Sequence, residues 1–173
     1  MKAGPPVVLA LTVIASAAFV LYTVPALPDR VASHFGIGNW PDAWMTREGY
    51  RFYMLSFATA LPVVIALAVA GLPRVFPGSA NIPNREYWLG GKRRSEALAY
   101  LAQQACWLGT LLALLGAGVH ASILRAHVMQ PAELPAVPFI ALLCSFFLAL
   151  LWWMFSVFRF FSRTGAARRR RAR

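Results

Sequence analysis

FYMLSFATALPVVIALAVAGLP, the run from Phe52 to Pro73, contains no Asp, Glu, Lys or Arg. A helix needs about 20 apolar residues to cross a hydrocarbon core of roughly 30 Å, so this run is long enough to cross once and too short to cross twice. Three further charge-free runs flank it: Ala3 to Pro28, Ala97 to Val119 and Leu134 to Phe158. The 17 basic and 6 acidic residues all fall outside the four runs. With 59% hydrophobic residues and a mean hydropathy of +0.57, the 173-residue chain is too apolar to cover a soluble domain. Backbone N–H and C=O groups in lipid must be satisfied within the spanning segment, which makes the helix the default. The period-2 alternation of a membrane barrel strand is absent. The expected fold is therefore all-α: a polytopic integral membrane protein built as a four-transmembrane-helix bundle with a structured outer loop between helices 1 and 2. One membrane domain fills 1–173, with spans at about 6–26, 51–72, 97–121 and 136–160.

Lys and Arg are retained on the cytoplasmic side, so their distribution among the connectors sets the topology. Lys2, the connector holding Arg74, Arg85, Lys92, Arg93 and Arg94, and the tail from Arg159 carry 13 of them, against 4 at Arg30, Arg47, Arg51 and Arg125. This split places both termini in the cytoplasm and the first and third connectors outside. The net charge of +11 then reports topology and implies no nucleic-acid partner. The basic tail, 162–173, is positioned to meet anionic lipid, each Arg adding about 1 kcal/mol of attraction near a charged leaflet. Val24-Pro25-Ala26 fits the small-residue pattern of a cleavage site. The run before it is longer than a usual signal h-region, however, and Pro28 follows closely, so the segment reads as a span. The thiols Cys106 and Cys144 lie in separate apolar runs and read as packing residues.

The first connector, Leu27 to Tyr50, is unlike the spans in composition. Gly36, Gly38 and Pro41 mark tight turns, while Thr46 is placed to cap the second helix and Glu48 to face its positive end. In the second connector Asn84 is placed to cap a short helix from Arg85, with Tyr87 and Trp88 suited to the head-group level. Small residues recur at every fourth position in two spans, at Ala58, Ala66 and Ala70 (with Pro62 in the same series) and at Ala105, Gly109, Ala113, Ala117 and Ala121. Such stripes let membrane helices approach closely. Gln103 and Gln104 are expected to bond between helices, and the bulky fourth span, with Phe146, Phe147, Trp152, Trp153, Phe155 and Phe158, to face lipid.

The motif Leu27-Pro28-Asp29, His34-Phe35, Gly38, Asp42, Trp44 and Arg47 resembles the signature of the bacterial membrane family called domain of unknown function 1648. Asn81-Ile82-Pro83-Asn84-Arg85-Glu86-Tyr87-Trp88-Leu89 and Arg93-Arg94 are similar to a second stretch common in that family. The two family-like segments are 27–47 and 81–94. Ala32 stands where relatives often have proline, Gly36 where they often have Asn, and Gly91-Lys92 where Pro-Glu is frequent. The resemblance implies a bacterial cytoplasmic-membrane protein, and the best-known proteins with this domain resemble immunity and signalling proteins of the SdpI type.

The candidate functional loop comprises Asp29, His34, Phe35, Gly38, Asp42, Trp44 and Arg47. The second motif comprises Pro83, Asn84, Tyr87, Trp88, Arg93 and Arg94. The expected function is recognition of an extracellular peptide or another membrane protein, without catalysis. His34, His120, His127, Asp29, Asp42, Glu48 and Glu133 all map to the outer side, but their spacing matches no metal-ligand motif. There is no nucleophile motif either, and no catalytic, metal or cofactor-binding residue is assigned. Two alternatives remain: a membrane enzyme or metal-binding protein using the outer-loop Asp and His residues, and a small transporter. A transporter calls for ionisable residues within its spans, and the four runs hold none.

Overall fold

A computed structural model describes residues 4–129 and 131–163; the basic tail beyond Arg163 and Lys2 lie outside the described residues. Helix α1 runs over Gly4–Thr23 and tightens into a 3-10 turn at Val24–Ala26, where Pro25 removes the donor that would continue it. Strands β1 (Arg30–Phe35) and β2 (Pro41–Thr46) follow, and then α2 (Arg47–Leu55), a π turn (Ser56–Ala60) and α3 (Leu61–Val75), which together form one rod. A short α4 (Arg85–Leu89) precedes the long α5 (Arg94–Val128) and the last helix, α6 (Ala136–Phe161). Four helical segments are long and apolar enough to cross a membrane: Gly4–Ala26, Arg47–Val75, Arg94–Val128 and Ala136–Phe161. The chain is a multi-pass membrane protein, as its charge-free runs imply.

Helix α5 is the centre of the bundle, packing against α1, α3 and α6. Its 35 residues make it about 50 Å long at 1.5 Å per residue, well beyond a hydrocarbon core. It continues past the expected limit of 121 because hydropathy marks where a helix leaves lipid, not where its hydrogen bonds stop. The contact face of α5 begins on the small-residue stripe and then drifts from it. Ala105, Gly109 and Ala113 are buried, but Gly116 and His120 continue the line in place of Ala117 and Ala121. A four-residue step overshoots a 3.6-residue turn, so a straight helix must shift register by one residue.

At Gly116 a Cβ would lie 2.7 Å from Ala58 Cα, which sits in the π turn. Pro62 has no N–H to give the Ala58 carbonyl, and the wider turn accommodates that loss. At Gly109 a Cβ would meet Leu9, the Pro62 carbonyl and Ala66 at 3.0–3.2 Å. Helix α6 buries only Phe161, and Phe147, Leu148, Leu151, Trp152, Phe155 and Phe158 stand exposed, as expected of a helix facing lipid. The bond that Gln104 makes to another helix comes from its main-chain carbonyl and not from its side chain: that carbonyl accepts from Trp153 Nε1 at 2.9 Å.

Candidate functional site

The family-like residues of the first connector build a β-hairpin, which the turn-forming residues alone did not reveal. β1 and β2 pair antiparallel, from Arg30 opposite Thr46 to Phe35 opposite Pro41, with irregularities between Ala32 and His34 and between His34 and Phe35. The tip is a β-turn over Gly36–Asn39, closed by the Asn39 N–H donating to the Gly36 carbonyl at 3.1 Å. Gly38 occupies its third position with φ +88°, the sign a type II turn requires there. Close by, His34 Nδ1 donates to Asp42 Oδ1 at 2.5 Å across the strands. Gly36 lies against the same carboxylate, leaving 2.7 Å between Asp42 Oδ2 and any Cβ built there.

The base of the hairpin is tied to the helices. Arg47 pairs with Asp29 and donates through Nη1 to the Pro25 carbonyl at 3.1 Å. The Arg47 N–H donates to the Asp29 carbonyl at 2.9 Å. Thr46 caps α2 by accepting from the Gly49 N–H at 3.1 Å, and Glu48 lies in the first turn. Farther along, the Asn39 carbonyl accepts from the Leu134 N–H at 3.0 Å, tying the tip to the α5–α6 connector. Val31 and Ala32 are fully buried, with Val31 joining Val20, Val24, Leu27, Tyr50, Met54 and Ile123 in one apolar cluster. Phe35 packs against this cluster, whereas Ile37, Trp40 and Trp44 are exposed. A cleft of about 300 Å³ opens beside the hairpin base, lined by Asp29, Arg47, Glu48 and Arg51 among others. Its charges are already matched, since Arg51 pairs with Glu48 at 2.5 Å.

Below the hairpin lies a polar chain that the sequence does not bring together. His120, at the margin of its expected span, is wholly buried, so the bundle does contain an ionisable side chain. Thr23 gives its hydroxyl proton to the Phe19 carbonyl at 2.7 Å, and must therefore accept from His120 Nε2–H, also at 2.7 Å. That assignment leaves His120 Nδ1 to accept from the Tyr50 hydroxyl at 2.8 Å; the tautomer follows from the donor inventory. Tyr50 to His120 to Thr23 to the Phe19 carbonyl is thus a fully satisfied chain across three helices. Phe19 packs edge-on to the imidazole, with centroids 5.0 Å apart. A signal did exist in the sequence. Under the expected topology, Thr23, Tyr50 and His120 all fall at one end of their respective spans.

His127, two turns farther along α5, fixes the hairpin directly. Its Nδ1–H donates to the Ile123 carbonyl at 2.9 Å, and Nε2 accepts the Ala32 N–H at 3.1 Å. His34, His120 and His127 therefore have three separate sets of partners. Among the described residues no three His, Cys, Asp or Glu side chains converge as metal ligands would.

The second motif organises the opposite end of the bundle. Trp88 and Leu89 are buried against Phe161, so Trp88 packs within the protein. Trp88 Nε1 and Asn84 Nδ2 both donate to the Phe161 carbonyl, at 2.8 and 3.2 Å. They satisfy one of the orphan carbonyls at the C-terminus of α6. Asn84 thus precedes α4 without capping it by its side chain, and takes a left-handed conformation at φ 53°. Arg93 lies over the rings of Tyr87 and Trp88, and Arg94 donates to the Arg74 carbonyl at 2.8 Å. Pro83 lies in the turn that leads into α4. The two motifs therefore occupy opposite ends of the molecule and do not form one site.

Residues 11–57 match the family model described as Domain of unknown function (DUF1648). The matched segment takes in most of α1, the hairpin, α2 and the start of the π turn, and ends before the second motif. No curated protein and no solved structure matches the chain.

Proposed function

We propose that this DUF1648-containing membrane protein works by recognition, binding a protein or peptide outside the cell through the hairpin and performing no chemistry of its own. It resides in a bacterial cytoplasmic membrane with both termini inside, in keeping with the 13-to-4 split of basic residues and the retention rule. One observation carries the reading. The hairpin is anchored on one side by Val31, Ala32 and Arg47, while Ile37, Trp40 and Trp44 stand exposed on it. Loops held on a rigid scaffold are where recognition residues concentrate. Aromatic side chains that are ordered before binding lose little freedom on contact, which favours affinity. An immunity or signalling role, in which a peptide or a membrane partner is sensed outside, fits such a surface. The tail beyond Arg163 serves as a cytoplasmic anchor on anionic lipid.

A photo-reactive residue at Ile37 in the native membrane tests this directly. A discrete protein or peptide adduct is expected, lost on Trp40→Ala and absent when the probe is moved to Tyr22, an exposed position on α1. Adducts to lipid alone, or the same adducts from both positions, would count against recognition by the hairpin.

A further inference from the structure

The hairpin strand is joined to the central helix by a histidine that must be neutral to make the bond. His127 Nε2 accepts from the Ala32 N–H at 3.1 Å while its Nδ1–H is already engaged by the Ile123 carbonyl at 2.9 Å. We propose that His127 is a proton-operated latch, so that acidification outside the membrane releases β1 from α5 and loosens the recognition hairpin.

The argument is geometric. A second proton on the ring has one place to go, Nε2, and there it faces the Ala32 N–H as donor against donor. Ala32 is fully buried, so its amide finds no water in place of the lost acceptor, and the strand must move for ring and amide both to be satisfied. The released state has its own support. A protonated imidazole keeps its Nδ1–H on the Ile123 carbonyl and stays in the last turn of α5, where the helix dipole favours positive charge. Latched protein binds fewer protons than released protein, so the latch holds at higher pH and opens as pH falls. Imidazole is the side chain that changes charge between about pH 5 and 8.

On β2 the group against the ring is the edge of Trp44, with centroids 6.3 Å apart. Titratable or charged groups on the neighbouring elements include Arg30 and His34 on β1, Asp42 on β2, His120 and Arg125 on α5 and Glu133 on the α5–α6 connector. Asp42 is taken by His34, and among the described residues no carboxylate lies within 4.0 Å of His127 to hold a charged imidazole in place. The latch is independent of what the hairpin recognises, and its test needs no partner.

Spin labels at Ile37→Cys, on the tip, and Val75→Cys, exposed at the far end of α3, report the hairpin position in purified full-length protein lacking Cys106 and Cys144. One narrow distance is expected near pH 8, with a second, broad population growing toward about pH 5. The ratio of released to latched protein should rise by up to about tenfold per pH unit, the slope of one proton. His127→Gln, whose amide oxygen accepts at any pH, should hold the narrow distance throughout. A pH response that survives in His127→Gln overturns the proposal. Where His127→Gln does not fold, the parent series decides, because an unchanged distance across that range also overturns it.

Discussion

Tyr50→Phe removes one oxygen from the bundle, and the size of the resulting loss tests whether the buried chain is wired as its donors require. His120 is 0% exposed and Tyr50 2%, so no water takes the place of the missing hydroxyl. His120 Nδ1 is left as a buried acceptor without a donor, which costs about 1–3 kcal/mol. With burial this complete we expect about 2 kcal/mol. Thr23→Val strands the Nε2–H at the other side of the ring, but Thr23 is only half-buried, and about 1 kcal/mol is expected there. Replacing the ring as well gives the sharper signature. Tyr50→Phe with His120→Met leaves no stranded acceptor, because Thr23 keeps its bond to the Phe19 carbonyl. The double variant should therefore be at least as stable as Tyr50→Phe alone, a coupling of roughly 1–2 kcal/mol within the 0.5–3 kcal/mol range for residues in contact. SDS titration of the purified protein in mild detergent reads this through the reactivity of half-buried Cys106, with exposed Cys144 replaced by Ser. If Tyr50→Phe stays within about 0.5 kcal/mol of the parent, or if the His120→Met change adds its full cost on top, the proposed wiring is wrong.

Other expected outcomes follow from contacts already described. Gly116→Leu should destabilise the bundle by about 3 kcal/mol or more, the upper end for overpacking, because its neighbour at 2.7 Å is the Ala58 backbone. Gly109→Leu should cost less, since one of its neighbours is the flexible end of Leu9; equal midpoints in the same titration would contradict the ordering. Trp88→Phe withdraws the indole donor from the Phe161 carbonyl and should cost about 1 kcal/mol, with early proteolysis after Phe161 as the readout. Asp42→Ala and His34→Ala should each raise protease sensitivity between 31 and 47 while the helices stay inserted. A metal chelator should leave the parent's cleavage pattern unchanged.

The spans were legible because a charge in lipid is so unfavourable that the sequence must avoid it, and the charge-free runs mark where it does. The helix ends were less so. Arg47, Glu48 and Arg51 belong to the second spanning rod, and Arg125 and His127 to α5, although all lie outside the apolar runs. The hairpin escaped the pattern because its strands do not alternate. β1 buries Val31 and Ala32 in succession and β2 begins at Pro41, so the ladder depends on the helices beneath it. Gly109 was legible as a contact from its stripe, whereas Gly116 was not, because its demand comes from a π turn in another helix. Among the candidate functional residues, the motif marks Asp29, His34, Asp42 and Arg47. Thr23 and Tyr50, bonded to His120, and Ala32, bonded to His127, lie 70 to 97 residues away in the chain, and only the packing of three helices and a strand brings them together.

Recognition outside the cell requires first of all that the hairpin face outward, and thiol labelling in intact cells measures this directly. Ile37→Cys suits the purpose because Ile37 is fully exposed at the tip and avoids the left-handed backbone of neighbouring Asn39. Ser162→Cys marks the other end, just past α6. In a background without Cys106 and Cys144, an impermeant reagent should label position 37 in intact cells and position 162 only after the membrane is opened. Labelling at 162 but not at 37 in intact cells would place the hairpin in the cytoplasm and contradict the proposed function.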